Sequence, residues 1–385
     1  MPERAPAINY HAELKKAYRA QRRYERAETS WDRAHFGIAT FMLSFIALTQ
    51  AYNTDVAANK EAAAESAPQM ILTTEDPAHP TDANFYLGGF DTTGGNSIAQ
   101  DVGPAINQIL PGDNVAIHTG ESIRDPQLLG NTIVDYSEEE GYKTISLIGN
   151  SMDGITMAEV ADYISYSSDL PVKTVVMNES PNGYEGLKPE GQTNLEWLLG
   201  FVSSVKDSEY STYAKYLVTM VQGIPRFTQD ENPLTNVNNF FKVSDETWQD
   251  IVTGRRSPMW QVTRQAWALK DSNLQATISH LGQLDPKKMR PTFILARTTN
   301  PDDDTLVNVD TSTKATEQYL KDAKLDYDIV YVDGVHHTSY NYDKEAYGKA
   351  FSNQTVITNK IATEQARYAL QNSTLPWLMY SMRNR

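Results

Sequence analysis

The 385-residue chain has no cysteine. Disulfides, thiolate zinc sites and a cysteine nucleophile are therefore excluded together. The compartment stays open, because a chain without thiols is at home in reducing and oxidising surroundings alike. Positive charge is scarce as well: 34 Lys and Arg face 49 Asp and Glu, a formal net charge of -15. A nucleic-acid binder needs a basic face to neutralise phosphates, so nucleic acid is excluded as a partner. No internal repeat is visible, and long apolar runs are lacking except for one near the N-terminus. What is present is a 40% hydrophobic and 10% aromatic composition, enough for a folded globular body with a substantial core.

The one apolar run follows a basic segment. Residues 1–34 hold eight Lys or Arg against five acids, in a chain that is otherwise strongly acidic. Residues 35–52, H-F-G-I-A-T-F-M-L-S-F-I-A-L-T-Q-A-Y, carry no charge between Phe36 and Thr49. A bilayer span wants about 20 mainly apolar residues, with a lower limit near 17. Basic residues before the run and an acidic body after it fit a cytoplasmic N-terminus and an exported domain. The expectation is a signal-anchor helix over residues 36–52, holding a single-pass protein at the cell membrane with its main domain outside the cytoplasm. The alternatives are secretion after cleavage near Thr49-Gln50-Ala51 and an amphipathic helix packed on the body. Residues 53–70 are Ala-rich and polar with no apolar stripe, and read as a linker, partly helical at most.

Beyond residue 84 short apolar runs alternate with longer helical stretches. Candidate strands are Phe85–Leu87, Asn114–His118, Thr144–Ile148, Lys173–Met177, Pro291–Ala296 and Asp328–Val332, with helices over 97–110, 125–140 and 154–169. Most of these strands are continuously apolar, as in a parallel sheet buried on both faces. The rhythm gives an α/β fold, a mostly parallel sheet flanked by helices. Between Pro181 and Arg290 it lapses into helical patterns holding Trp197, Trp248, Trp260 and Trp267. The domain reading is thus a core over 71–180 and 290–385, with a helical cap inserted at 181–289.

Four segments carry chemistry. The first is T-I-S-L-I-G-N-S-M-D-G, Thr144 to Gly154, a buried strand running into a helix through Gly149-Asn150-Ser151. A serine hydroxyl is a poor nucleophile until it is exposed, oriented and set beside a base. A tight strand-to-helix turn supplies the exposure, and the helix N-terminus adds free N–H groups for a developing oxyanion. The bland alternative is a serine in an ordinary βα loop. The others are F-Y-L-G-G-F-D-T-T-G-G (85–95), R-P-T-F-I-L-A-R-T-T-N-P-D-D-D-T-L-V-N (290–308) and Y-D-I-V-Y-V-D-G-V-H-H-T-S-Y (327–340). The glycines of the second lack the G-x-G-x-x-G spacing of a dinucleotide loop. The aspartates of the third lack the D-x-D-x-D-G spacing of an EF-hand, leaving a solvated loop or a weak calcium site as its alternatives. The adjacent histidines of the fourth cannot share a strand face, so a metal half-site would need an irregular loop.

Taken in order, these segments resemble the α/β-hydrolase superfamily, in which serine, acid and histidine follow successive strands. The G-N-S-M part is similar to the elbow of carbon–carbon-bond hydrolases and related esterases. The resemblance implies Ser151 as nucleophile, Asp304 as orienting acid in a D-x-L-V arrangement, and His337 as base by alignment on Gly334. His336, Asp302 and Asp303 are the neighbours that could be mistaken for these. Backbone N–H groups of Phe90 and Met152 would form the oxyanion hole. Two departures stand out: Gly88 replaces the commoner histidine, and the fifth elbow position is Asp153 instead of glycine, with a side chain that would crowd the turn. The implied reaction is hydrolysis of an acyl bond in a small-molecule or lipid-like substrate, a carboxylic ester by default, through an acyl-enzyme and with no cofactor or metal. The rivals are peptidase, thioesterase or carbon–carbon hydrolase chemistry at the same site, and a catalytically silent membrane-tethered binding protein. The oligomeric state is not legible.

Overall fold

A computed structural model of the chain describes residues 48–64, 67–90, 92, 94–119, 125–222, 233–253, 256–304, 306–335, 337, 344–352 and 354–372, with Lys15, Lys16 and Arg19 besides. Residues 1–59 and 60–385 form two compact units. Residues 48–64 are helical and are labelled α1. The run expected to anchor the chain, 35–52, falls outside the described residues from 35 to 47. Among the described residues no helix is long and apolar enough to cross a membrane.

The larger unit is built on seven strands: β1 (Gln69–Thr74), β2 (Asp82–Leu87), β3 (Asp113–His118), β4 (Thr144–Asn150), β5 (Val172–Asn178), β6 (Thr292–Thr298) and β7 (Tyr327–Val332). Their order across the sheet is β1-β3-β2-β4-β5-β6-β7. All pairings are parallel except β1 with β3. The strand β1 is absent from the sequence-based list, and part of it falls in the segment read as linker. It is a half-exposed edge strand whose Q-M-I-L-T-T offers too few apolar residues to stand out.

Alternate residues of each central strand serve opposite faces, as a pleated backbone requires. Phe85, Leu87, Val115, Ile117, Leu147, Val175, Phe293 and Leu295 pack on one side. Tyr86, Ala116, Ile148, Val176, Ile294, Ala296, Val330 and Val332 pack on the other. Phe85 is fully buried and meets Tyr136 and Tyr142 edge-on at 6.2 and 6.5 Å. Removing such a ring costs about 3–5 kcal/mol. The second face is covered by α2 (Asn96–Asp101), α3 (Gly103–Ile106), α12 (Lys344–Ser352) and α13 (Thr355–Asn372). The expected single helix 97–110 is broken between α2 and α3, where Gly103-Pro104 cannot continue the hydrogen-bond ladder. The first face takes α4 (Pro126–Glu140) and α5 (Asp153–Ser167). Asp125 caps α4 by accepting from the N–H groups of Gln127 and Leu128.

The regular elements described in the interval 181–289 are all helices. The interval holds α6 (Pro189–Ser204), α7 (Thr212–Gln222), α8 (Pro233–Val252), α9 (Met259–Asp271) and α10 (Leu274–Gly282). The last of these packs against α5 and against α11 (Val309–Ala323) as part of the helical layer on the sheet. Because β2, β4, β5, β6 and β7 run parallel, their C-terminal ends share one edge of the sheet. Loops there are where open α/β sheets bind ligands.

Candidate active site

The turn after β4 is strained in the way an elbow must be. Ser151 has φ 52, in the left-handed region where an L-residue is disfavoured by about 1–2 kcal/mol. Its N–H donates to the Asn178 carbonyl at 2.7 Å, while its own carbonyl accepts from Gly154 at 3.0 Å. Close packing explains the two glycines, against backbone at Gly149 and against the Ser180 side chain at Gly154. A Cβ at Gly149 would lie 2.1 Å from the Asp153 carbonyl oxygen, and one at Gly154 would lie 1.9 Å from the Ser180 hydroxyl. The small residue that lets α5 approach β5 is therefore Gly154. Asp153 points elsewhere without crowding the turn: it is fully buried at the start of α5 and accepts from the Thr156 hydroxyl at 3.2 Å.

The elbow is braced from beneath. Asn178, at the end of β5, donates through its amide to Asn150 Oδ1 at 2.6 Å and to the Tyr347 hydroxyl at 3.1 Å. Elbow, neighbouring strand and α12 thus share one buried polar contact set.

Three of the sequence-predicted side chains meet. Ser151 Oγ lies 2.9 Å from His337 Nε2, and His337 Nδ1 lies 2.7 Å from Asp304 Oδ2. With a carboxylate at Nδ1, that nitrogen carries the proton and Nε2 is left to accept from the hydroxyl. Ser151 is 6% exposed and Asp304 wholly buried. His337 reaches the serine from the loop after β7, past a turn in which Gly334 takes φ 71. His336 lies outside the described residues.

Asp304 is held on every side. Its Oδ1 accepts from the N–H groups of Leu306 and Val307 at 2.9 and 2.7 Å, and its carbonyl accepts from Lys188 Nζ. An antiparallel bridge of Leu187 with Val307 fastens this loop to the segment leading into α6 (Pro189–Ser204). Asp302 and Asp303 sit instead in a 3₁₀ turn, Pro301–Asp303, capped by the Asn300 side chain, and neither reaches the imidazole contact. The acid run is thus part solvated loop and part buried carboxylate.

The glycine-rich segment after β2 passes directly by the elbow. A Cβ at Gly89 would stand 3.0 Å from Ser151 Cβ, closer than side chains ordinarily pack, so glycine lets the backbone run close to the serine. Phe90 follows, half-buried against the core, and Met152 is buried immediately after the serine. Thr92 Oγ1 donates back to the Gly89 carbonyl at 2.8 Å, and the Thr92 carbonyl in turn accepts from Ser257 Oγ at 2.6 Å.

Sequence reasoning missed Glu179, Lys188 and Ser257. Glu179 could have been found: it is an acid directly after a buried strand, on the edge where ligand-binding loops gather. A carboxylate oxygen of Glu179 and one ligand-type atom from each of Asp304 and His337 lie within 4.8 Å of one another. Since Asp304 and His337 Nδ1 are committed to each other, the group is an acid pair beside a base.

No family model matches the chain, and no curated protein does. Solved structures do match. A carboxylesterase structure from Nitrososphaera gargenis has 10% identity and a TM-score of 0.46, covering 77% of this chain and 97% of its own. MenH from S. aureus has 16% identity and a TM-score of 0.40, with coverage of 78% and 99%. A lipase-esterase related protein from Clostridium acetobutylicum has 12% identity and a TM-score of 0.42, with coverage of 77% and 98%. At such scores these likenesses do not bear on the reaction. The strand order, the single antiparallel edge strand and the positive-φ serine after the central strand give this chain the α/β-hydrolase fold.

Proposed function

We propose that the protein is a serine hydrolase that cleaves an acyl bond, a carboxylic ester by preference, through an acyl-enzyme. The observation that carries this reading is the unbroken line from Ser151 Oγ through the His337 ring to Asp304, at 2.9 and 2.7 Å. In the proposed reaction His337 Nε2 takes the serine proton as Oγ attacks the carbonyl carbon. Asp304 holds the Nδ1–H and stabilises the imidazolium that forms. The N–H groups of Phe90 and Met152 face the developing oxyanion, which is worth about 3–4 kcal/mol per well-placed donor. His337 then protonates the leaving group, and water, activated by the same nitrogen, releases the acid.

The chemistry needs no cofactor. An acyl substrate, small or lipid-like, would enter past the cap. Esters are preferred over amides because an alkoxide or phenoxide leaves more readily than an amide nitrogen, which must be protonated before it departs. The test is a panel of p-nitrophenyl esters of rising acyl length, run with and without prior fluorophosphonate treatment. The reading predicts turnover that the reagent abolishes stoichiometrically. Turnover indifferent to the reagent would count against it.

For location we propose that residues 36–52 anchor the chain in the cell membrane with the hydrolase domain outside the cytoplasm. What supports this is the basic segment before the run and the acidic body after it.

A further inference from the structure

Lys188 stands where the chemistry of a helix end disfavours it. It holds the N-cap position of α6, and Pro189 follows as the first helical residue. That position favours Ser, Thr, Asp or Asn, whose oxygen accepts from the first turn, and the positive end of the helix dipole repels a cation. Lys188 makes no side-chain cap hydrogen bond. A residue that breaks a local rule without gain to its own element points to a role elsewhere.

The Lys188 contacts show where. Its Nζ donates to the Asp304 carbonyl, 116 residues along the chain, and to the Pro301 carbonyl at 3.4 Å. An ammonium group has three donors and serves two carbonyls at once. The backbone on either side is joined to the same loop. The Lys188 N–H donates to the Leu306 carbonyl at 2.8 Å, the Asn308 N–H donates to the Gly186 carbonyl at 2.8 Å, and Leu187 bridges Val307. The approach is close: a Cβ at Gly191, in the first turn of α6, would stand 3.3 Å from the Leu306 carbonyl oxygen. The start of α6 and the acid loop thus form one short ladder, and the Lys188 side chain adds the contact to Asp304 itself.

The Asp304 side chain is fixed within its own loop, where Oδ1 accepts from Leu306 and Val307. Those bonds alone leave the loop free to turn as a unit and carry Oδ2 away from the imidazole. Lys188 holds the main-chain end of the same residue, through a charge-assisted bond of the stronger kind. With both ends held, Oδ2 stays at 2.7 Å from His337 Nδ1. We propose that Lys188 is a positioning residue for the reaction: its ammonium group, reaching from the start of α6, fixes the Asp304 main chain and through it the His337 ring. It touches neither the reacting hydroxyl nor substrate. This inference rests on the serine-hydrolase reading above.

The experiment measures kcat and KM for a p-nitrophenyl ester, beside a melting curve, on full-length wild type, Lys188→Met, Lys188→Ser, Asp304→Asn, Lys188→Ser combined with Asp304→Asn, and Ser151→Ala. Rates are taken per site that reacts with fluorophosphonate at completion, so a misfolded fraction does not enter. Lys188→Met and Lys188→Ser should each lose about tenfold in kcat with KM within about twofold, because the lost bonds act on the acid and not on substrate. Serine supplies the missing cap of α6, so Lys188→Ser should keep its melting temperature while losing rate. In the Asp304→Asn background Lys188→Ser should cost less than about twofold, since the acid it positions is gone. Three results would overturn this inference alone, given an inactive Ser151→Ala. They are an unchanged kcat in both Lys188 variants, an equal loss with and without Asp304, and a loss in Lys188→Met alone that follows a lower melting temperature. Turnover surviving in Ser151→Ala would overturn the serine reading and this inference with it.

Discussion

The Ser257 hydroxyl donates to the Thr92 carbonyl at 2.6 Å, so a residue just before α9 holds the glycine-rich turn that passes Ser151. Thr92 relays the restraint to Gly89 through its own hydroxyl. The segment before α9 and the glycine-rich turn are thereby coupled through Ser257, Thr92 and Gly89. Ser257→Ala should lower kcat by about three- to tenfold with little change in thermal stability, because one hydrogen bond contributes about 1 kcal/mol. Steady-state kinetics beside a melting curve checks it. A change in melting temperature with kcat intact would mean that the contact serves the fold only.

The roles in the Ser151–His337–Asp304 line separate by neighbour. His337→Ala should lose about three or more orders of magnitude in kcat, as expected for removing the base, and His336→Ala far less. Asp304→Asn should lose at least tenfold, while Asp302→Asn and Asp303→Asn, outside the imidazole contact, should stay within about twofold. Kinetics on the five variants decides it, and a reversed ranking of the two histidines would reassign the base.

Burial, with the charges of Asp162 and Asp125 behind it, pushes Glu159 on α5 up to about 7. Its folded value lies above its ordinary value of 4.5, so the native state holds a proton that the unfolded chain releases. The stability linked to that proton is fully present below about pH 4.5 and is lost as pH rises to about 7. Glu159→Gln keeps the neutral shape at all pH values. Denaturant melts should show wild type and variant together near pH 4. Near pH 8 the variant should be more stable by about 1–3 kcal/mol, one pKa unit being about 1.4 kcal/mol. Equal stability at both pH values would show that Glu159 titrates as a solvated carboxyl.

If residues 36–52 anchor the chain, full-length protein should fractionate with membranes and need detergent for release. Fractionation combined with intact mass checks this. Full-length protein in the soluble fraction, with its N-terminus uncleaved, would contradict the anchor.

The sites legible in the sequence are those where one local rule dominates. Continuous apolar runs such as Thr292–Thr298 announce strands buried on both faces, and Gly149-Asn150-Ser151 announces a turn at the end of one. Asp304 and His337 stood out because each follows such a strand. The edge strand Gln69–Thr74 did not, since its half-exposed residues imitate a linker. Gly154 standing in for the expected glycine at position 153 was likewise hidden, because the clash it avoids is with Ser180, 26 residues away in the chain. Ser257 meets Thr92 only through a tertiary contact, 165 residues apart in the chain, which no local pattern encodes.

The central claim is that Ser151 is an activated nucleophile, and locating a covalent adduct tests it most directly. Full-length protein treated with a fluorophosphonate and digested should carry one phosphonyl group, on the peptide containing Ser151. His337→Ala should slow the labelling by about a thousandfold, and Ser151→Ala should abolish it. An adduct on another serine, or equal labelling in Ser151→Ala, would contradict the account.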